Sequence, residues 1–233
     1  MRYIHWFLTV VMVMFSVMSH AQSLDQSLVG RWITQVEQEG NRMPILLEIH
    51  QTGEYSLSRV NEERGFITTN PESWQLNSHE MSHGKYSVKN ADAFSINSTI
   101  SPGDWIELKR VPAGNQPSLV DSSLLPEEMK NPQSGTPQNP LNPSLVGLWQ
   151  TTTMMGNRRL DIVWRINPNG YSILITVVVA GQGKIEASSG RLKLVPNGQS
   201  EVLEATYRVL NYNTFEMTDD SGIGQWTRLG TTK

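Results

Sequence analysis

Short apolar runs separated by turn residues form the dominant pattern of this chain. The runs at 45–49, 162–166 and 206–210 are rich in β-branched and aromatic side chains, which favour strands. Turn residues such as Gly53 and the pair 169–170 separate these runs. Their spacing of about 8 to 12 residues is typical of all-β domains. No segment keeps an apolar 3.6-residue period over three helical turns, so helices should be minor. We therefore predict an all-β fold of antiparallel strands, about seven or eight in each half.

The chain contains one series of landmarks twice. Residues 27–32 read Ser-Leu-Val-Gly-Arg-Trp, and residues 144–149 read Ser-Leu-Val-Gly-Leu-Trp. Later landmarks keep their order and nearly their spacing: Tyr86 matches Tyr207, Phe94 matches Phe215, and 108–111 matches 226–229. Such small drifts are typical of loop-length changes between duplicated domains. We predict two repeats, 27–111 and 144–229, each forming a small antiparallel meander barrel.

A proline-rich segment joins the repeats. Residues 112–143 hold seven of the twelve prolines of the chain, with Asn, Gln and Ser among them. Proline removes hydrogen-bond donors and fixes φ, so this stretch should be an extended linker rather than part of a sheet. Its centre is apolar at 119–120 and 124–125. Two interpretations remain open: a strap that packs on one domain, or a peptide that docks on a partner.

One predicted strand, 171–180, is apolar on both faces. One face carries Tyr171, Ile173, Ile175, Val177 and Val179, and the other carries Leu174 and Val178. An exposed face of this kind invites strand pairing between chains. We expect its second face to be covered by domain 1, by the linker or by another subunit, so an oligomer through 171–180 is possible. The alternative is a strongly coiled strand that enters the core twice.

The N-terminus resembles an export signal. Arg2 precedes an apolar run at 6–17, and Ser19-His20-Ala21 has the small-x-small form of a cleavage site. We predict a signal peptide at 1–21, a mature chain that begins at Gln22, and a periplasmic or secreted location. An N-terminal membrane anchor is the alternative, although the run is short for a span of ~20 residues.

Composition narrows the classes of function. The chain has no cysteine, which excludes disulfides and thiolate chemistry. Without 1–21 the chain has 18 basic and 22 acidic residues, a charge of −4 with both signs scattered. This balance argues against a nucleic-acid partner. No later apolar run has membrane-spanning length, so we expect no membrane span in the mature chain.

Two motifs suggest chemistry. His79-Glu80-Met81-Ser82-His83 matches the H-E-x-x-H pattern of zinc peptidases, which requires a helix to place both imidazoles on one face. Strand-like segments flank it here, so we interpret His79, Glu80 and His83 as a hairpin loop rather than a metal site. Gly181-Gln182-Gly183 lacks the third glycine and the helix of a dinucleotide site, and we interpret it as a hairpin turn. The sequence indicates neither an enzyme nor a cofactor.

The two Gly-x-Trp motifs and the arginine near the end of each repeat resemble the lipocalin, or calycin, pattern, and in particular short bacterial lipocalin-like secreted domains. The resemblance implies that the tryptophan closes one end of a barrel and the arginine lies across it. Carried over by position, Gly30 and Trp32 would pair with Arg110, whereas Gly147 and Trp149 would pair with Arg228. These six residues are then structural.

Three functions follow as hypotheses. The first is a non-catalytic exported binding protein that holds a small apolar ligand or a peptide segment in or on lipocalin-like barrels. The second is a protein–protein interaction or envelope assembly module whose barrels are filled by side chains. The third is a zinc metalloprotease acting through His79, Glu80 and His83. An apolar cavity of ~300 Å³ or more favours the first hypothesis, and filled barrels favour the second.

Overall fold

The structure is a computed structural model that describes residues 24–38, 41–78, 82–98, 101–131, 133–198, 202–220 and 222–230. The predicted signal peptide, 1–21, lies outside these residues. Strands make up most of the described chain, and the helices are short. This confirms the predicted all-β class.

Seven strands lie in each half of the described chain. The first seven are β1 (Gly30–Gln38), β2 (Asn41–Ile49), β3 (Glu54–Thr69), β4 (Ser73–Asn77), β5 (His83–Asn90), β6 (Ala93–Ser98) and β7 (Ser101–Arg110). The second seven are β8 (Gly147–Met155), β9 (Arg158–Ile166), β10 (Tyr171–Ser188), β11 (Arg191–Pro196), β12 (Leu203–Asn211), β13 (Thr214–Asp219) and β14 (Gly222–Arg228). One short α-helix, α1 (Glu127–Lys130), and three single 3-10 turns (Gln26–Leu28, Ser122–Leu124 and Pro143–Leu145) complete the elements.

The strands form one antiparallel sheet that closes in a ring. Each strand pairs with its neighbours in the sequence, and β1 pairs with β14 to complete the ring. An additional pairing joins β3 to β10. Closure of this kind leaves no sheet edge at the two ends of the strand order, which limits pairing with other chains.

The chain forms two compact units, and each contains parts of both repeats. Unit 1 comprises residues 24–34, 47–56 and 181–229, whereas unit 2 comprises 35–46 and 57–180. These units differ from the contiguous repeats 27–111 and 144–229. The two tandem barrels at 27–111 and 144–229, joined by a linker, therefore remain a prediction.

Two strands are far longer than the usual five or six residues. β3 has 16 residues and β10 has 18, and each contributes to both units. The prediction of a hairpin turn at Gly181-Gln182-Gly183 is wrong, because these residues lie inside β10. The close neighbour strand explains Gly183, since a Cβ there would overlap the carbonyl oxygen of Val195 in β11. Glycine inside a strand often marks such a close backbone approach.

Aromatic side chains fill the core of each unit. In unit 2, the Phe94 and Trp149 rings meet edge to face at 4.6 Å, and Trp74 meets Trp164 at 5.0 Å. All four are at most 2% exposed. In unit 1, Phe215 meets Trp32 edge to face at 4.7 Å and stacks on Trp226 at 5.9 Å. Aromatic pairs in these geometries contribute about 0.5–1.5 kcal/mol each beyond the area that they bury.

Candidate functional site

In unit 1, Arg228 lies over the ring of Trp32. The indole Nε1 of Trp32 donates to the carbonyl of Leu28 at 2.7 Å. Leu28 is the last residue of a 3-10 turn. The guanidinium carbon of Arg228 lies 4.0 Å from the centroid of the Trp32 ring. Its nitrogens also donate to three carbonyls, those of Ser27, Val29 and Tyr212, at 2.7 to 2.8 Å. The arginine therefore joins both ends of the chain.

Unit 2 contains an arrangement of tryptophan, arginine and backbone carbonyls that closely matches the one in unit 1. Trp149 Nε1 donates to the Leu145 carbonyl at 2.7 Å, and the Arg110 guanidinium carbon lies 4.1 Å from the Trp149 ring centroid. The nitrogens of Arg110 donate to the carbonyls of Ala91, Ser144 and Val146. Each 3-10 turn is capped alike, by an Asx side chain that accepts from a serine amide.

The glycine of each Gly-x-Trp motif lies under the arginine. Gly30 has φ +140° and Gly147 has φ +153°. A Cβ at Gly30 would overlap Nη1 of Arg228, and a Cβ at Gly147 would overlap Nη1 of Arg110. The spacing in Gly-x-Trp thus reflects a guanidinium that lies over the indole and against the glycine two residues earlier.

The predicted partners of the two tryptophans are exchanged. Trp32 contacts Arg228 and Trp149 contacts Arg110, so the pairing of Trp32 with Arg110 and of Trp149 with Arg228 is wrong. The strand register agrees, because Trp32 is opposite Arg228 and Trp149 is opposite Arg110. The cause lies in the order of the strands. The first strand of each repeat pairs with the last strand of the other repeat.

The H-E-x-x-H motif does not lie on a helix where it is described. His83 is exposed and is the first residue of β5, whereas His79 and Glu80 lie outside the described residues. A strand at His83 does not provide the helical i, i+4 spacing that places two imidazoles on one face. Among the described residues, no group of three or more potential ligands could hold a metal ion.

The described residues form surface cavities large enough for a small ligand, including one in each unit. One, of about 620 Å³, lies in unit 1 and is lined largely by charged side chains, among them Glu186, Arg191, Lys193 and Glu204. The other, of about 630 Å³, lies in unit 2 between the ends of β3, β4 and β5, and is lined by residues that include Asn70, Gln75 and Trp74. The first cavity lacks the apolar lining expected for a small apolar ligand, whereas the second has one large apolar side chain, Trp74, among polar residues.

The proline-rich segment packs on unit 2 as a strap. Pro117, Val120, Leu125 and Met129 are buried, whereas most of its other residues are partly or fully exposed. Its polar contacts trace a path over the sheet. The amide of Ser118 donates to Gln150 of β8, Arg165 of β9 donates to the Met129 carbonyl, and Arg64 of β3 donates to Glu128.

The strap then passes one end of unit 2. The amide of Gln133 donates to Asn167 at 3.1 Å, and the amide of Thr69 donates to the Pro140 carbonyl at 2.8 Å. Asn142 Nδ2 donates to the hydroxyl of Tyr86 at 3.2 Å. These contacts agree with the strap interpretation of 112–143 and place its chain against β3, β5 and the β9–β10 turn.

The apolar strand 171–180 is covered within the chain. Both faces are buried from Ser172 to Val177. Leu174 belongs to the core of unit 2, while Ile173 on the opposite face is opposite Arg165, which holds the strap. The cover that the sequence pattern required for residues 172–177 is therefore present within the chain.

Sequence reasoning missed two polar anchors. Arg165 donates through Nε and Nη2 to the Met129 carbonyl at 3.0 and 2.7 Å, and burial lowers its pKa. In unit 1, the Tyr207 hydroxyl donates to Asp25 at 2.8 Å. Burial, and then the bond to Asp25, raises the pKa of Tyr207 to about 12. A charged residue within an apolar run, as in Ile-Val-Trp-Arg-Ile, was the available signal for Arg165.

Comparison with known proteins gives no relatives: no family model, no curated protein and no solved structure matches this chain. In the part of the chain that the structure describes, no helix is both long and apolar enough to cross a membrane.

Proposed function

We propose that this protein is a non-catalytic, exported binding protein whose two barrels are filled by side chains and which binds a peptide segment of a partner on its outer surface. Of the two leading sequence hypotheses, this combines the peptide-binding form of the first with the filled interior of the second.

Two closed barrels are supported by the extra pairing between β3 and β10. Within unit 1, the amide of Ile185 donates to the Gly53 carbonyl at 2.8 Å. Within unit 2, the amide of Ile67 donates to the Gly170 carbonyl at 2.9 Å. In unit 2, this contact supports a barrel that would run from β3 through β4 and the following strands to β10 and back to β3. Unit 1 would close in the same way, from β10 through β14, β1 and β2 to β3.

The observation that carries the proposal is the interlocked aromatic core of unit 2. Phe94 contacts both Trp149 and Trp164, with ring centroids 4.6 and 6.1 Å apart, and Trp164 contacts Trp74. Rings in direct contact at these distances support an interior that is filled by side chains, as in other small barrels. A partner then has to be recognised from outside.

A second candidate function is supported by one observation. The indole N–H of Trp74 is buried and donates to no described residue, although Trp74 lines the 630 Å³ cavity. A buried donor without an acceptor costs about 1–3 kcal/mol. A small ligand with a hydrogen-bond acceptor would satisfy this donor, which is a variant of the small-ligand hypothesis with a polar rather than an apolar ligand.

Native mass spectrometry of residues 22–233, purified from the exported fraction of the host, separates these functions. The proposal expects a mass without a bound small molecule, and a protein partner at fixed stoichiometry. A co-purifying small molecule that the Trp74→Phe variant loses would instead support the second function. A bound apolar molecule unaffected by Trp74→Phe would place a ligand inside a barrel and overturn the filled-barrel proposal.

A further inference from the structure

The strap joins two points that are already neighbours. The amide of Val111, which follows β7, donates to the Leu148 carbonyl of β8 at 2.8 Å. Arg110 also donates to the carbonyls of Ser144 and Val146, at the far end of the strap. A short hairpin loop would connect these strands. The long excursion of 112–143 is therefore not needed to link the two repeats.

The sheet face beneath the strap is apolar. Neighbouring strands place Gln150, Val163 and Ile175 in one cross-strand row, and Leu148, Arg165 and Ile173 in the next. Val163, Ile173 and Ile175 are fully buried. The strap contacts both rows, through Ser118 on Gln150 and through the Met129 carbonyl on Arg165. We call these two rows the strap face.

Four spaced apolar residues of the strap are buried, and we call them its anchors. Met129 is 1% exposed, Val120 and Leu125 are each 4% exposed, and Pro117 is also buried. Two acidic residues, Glu127 and Glu128, precede the last anchor, and Glu128 pairs with Arg64 at 3.1 Å. Two basic side chains of unit 2, Arg64 and Arg165, thus contact α1, which is acidic in its first turn. Apolar anchors in an extended, proline-containing chain are a common mode of peptide recognition.

We propose that the strap face is a peptide-docking surface, that 112–143 is its resident occupant, and that a partner segment of the same chemistry displaces it. That segment is a proline-containing peptide with spaced apolar anchors, the last of which lies in a short helical turn and follows two acidic residues. The inference rests on the proposed function only in that the partner binds outside the barrels. Displacement of the anchored stretch 117–131 leaves both Trp–Arg contacts in place, because those contacts and the capped turn Pro143–Leu145 lie outside it.

The test uses the full mature chain and a labelled synthetic peptide of residues 116–131. Met129→Asp should release the strap and expose the strap face. Fluorescence anisotropy should then show that the peptide binds the Met129→Asp protein at least tenfold more tightly than the wild-type protein. Lys130→Asp is the matched control, because its side chain is exposed and its neighbour Met129 stays seated. A peptide with both acidic residues, Glu127 and Glu128, changed to lysine should lose most of this binding.

A second variant, Leu125→Asp, removes a different anchor and should give the same gain in peptide binding. Folded variants, identified by an unchanged far-ultraviolet circular dichroism spectrum, that do not take up the peptide would overturn the inference. Unfolding of both variants would overturn it too, because a cover that can be displaced cannot be essential to the fold. A small molecule found inside a barrel would count against the proposed function and leave this result unaffected.

Discussion

The guanidinium of Arg228 lies 4.0 Å from the ring of Trp32, although the two residues lie near opposite ends of the chain. The equivalent pair, Arg110 and Trp149, is separated only by the strap. Each contact joins one repeat to the other. In both places, the tryptophan of the Gly-x-Trp motif therefore contacts an arginine from the other half of the chain.

The exchange predicts which residues are energetically coupled. Arg228→Gln should lower the free energy of unfolding by about 2–4 kcal/mol, because it removes a cation–π contact and hydrogen bonds to three carbonyls. In a double-mutant cycle followed by urea unfolding, Arg228→Gln should couple to Trp32→Phe by about 1–2 kcal/mol. Coupling to Trp149→Phe should be close to zero. Coupling of Arg228→Gln to Trp149→Phe, with none to Trp32→Phe, would contradict the observed pairing and support the one expected from the order of the repeats.

Cleavage of the strap tests the same exchange at the level of whole fragments. A protease site inserted at Gly135, where the strap is exposed, should cut the chain into two fragments. Because each compact unit contains residues from both repeats, the fragments should elute together in size-exclusion chromatography until denaturant is added. Two separately folded fragments would instead support contiguous barrels at 27–111 and 144–229.

Two glycines inside β10 should respond differently to alanine. A Cβ at Gly183 would overlap the Val195 carbonyl, whereas a Cβ at Gly181 meets nothing within 4 Å. Gly183→Ala should lower the free energy of unfolding by about 1–3 kcal/mol, because the neighbouring strand has to shift. Gly181→Ala, the matched control, should stay within about 0.5 kcal/mol of wild type. Equal effects in thermal or urea unfolding would contradict the close approach of β11.

The contact between Tyr207 and Asp25 predicts a pH dependence. The pKa of Tyr207 is raised from 10.0 to about 12, first by burial and then by its bond to Asp25. Folding therefore favours the protonated phenol, so this stabilisation is complete below pH 10 and is lost as the pH rises towards 12. The difference in unfolding free energy between wild type and Tyr207→Phe should shrink over this range. A difference that stays constant would show that the phenol does not ionise differently on unfolding.

Local patterns in the sequence predicted the strands but not the limits of the longest one. The runs 162–166 and 206–210 lie in β9 and β12 as expected. At 181–183, two glycines were interpreted as a turn because glycine favours turns when only local conformation is considered. Inside β10, Gly183 is instead required by the close approach of the Val195 carbonyl. Val195 lies in β11, so local sequence does not reveal this contact.

The sequence by itself determined the all-β class, the repeated landmarks and the six residues that meet in the two Trp–Arg contacts. Alternating side chains and turn residues act over a few positions, so they can be read directly along the chain. Only the tertiary structure decided which tryptophan meets which arginine, and where the strap lies. The two Gly-x-Trp motifs are nearly identical, so the local sequence does not show which arginine each tryptophan contacts. The pairing of β1 with β14 and of β7 with β8 selects between them, because strand register fixes which side chains are opposite each other.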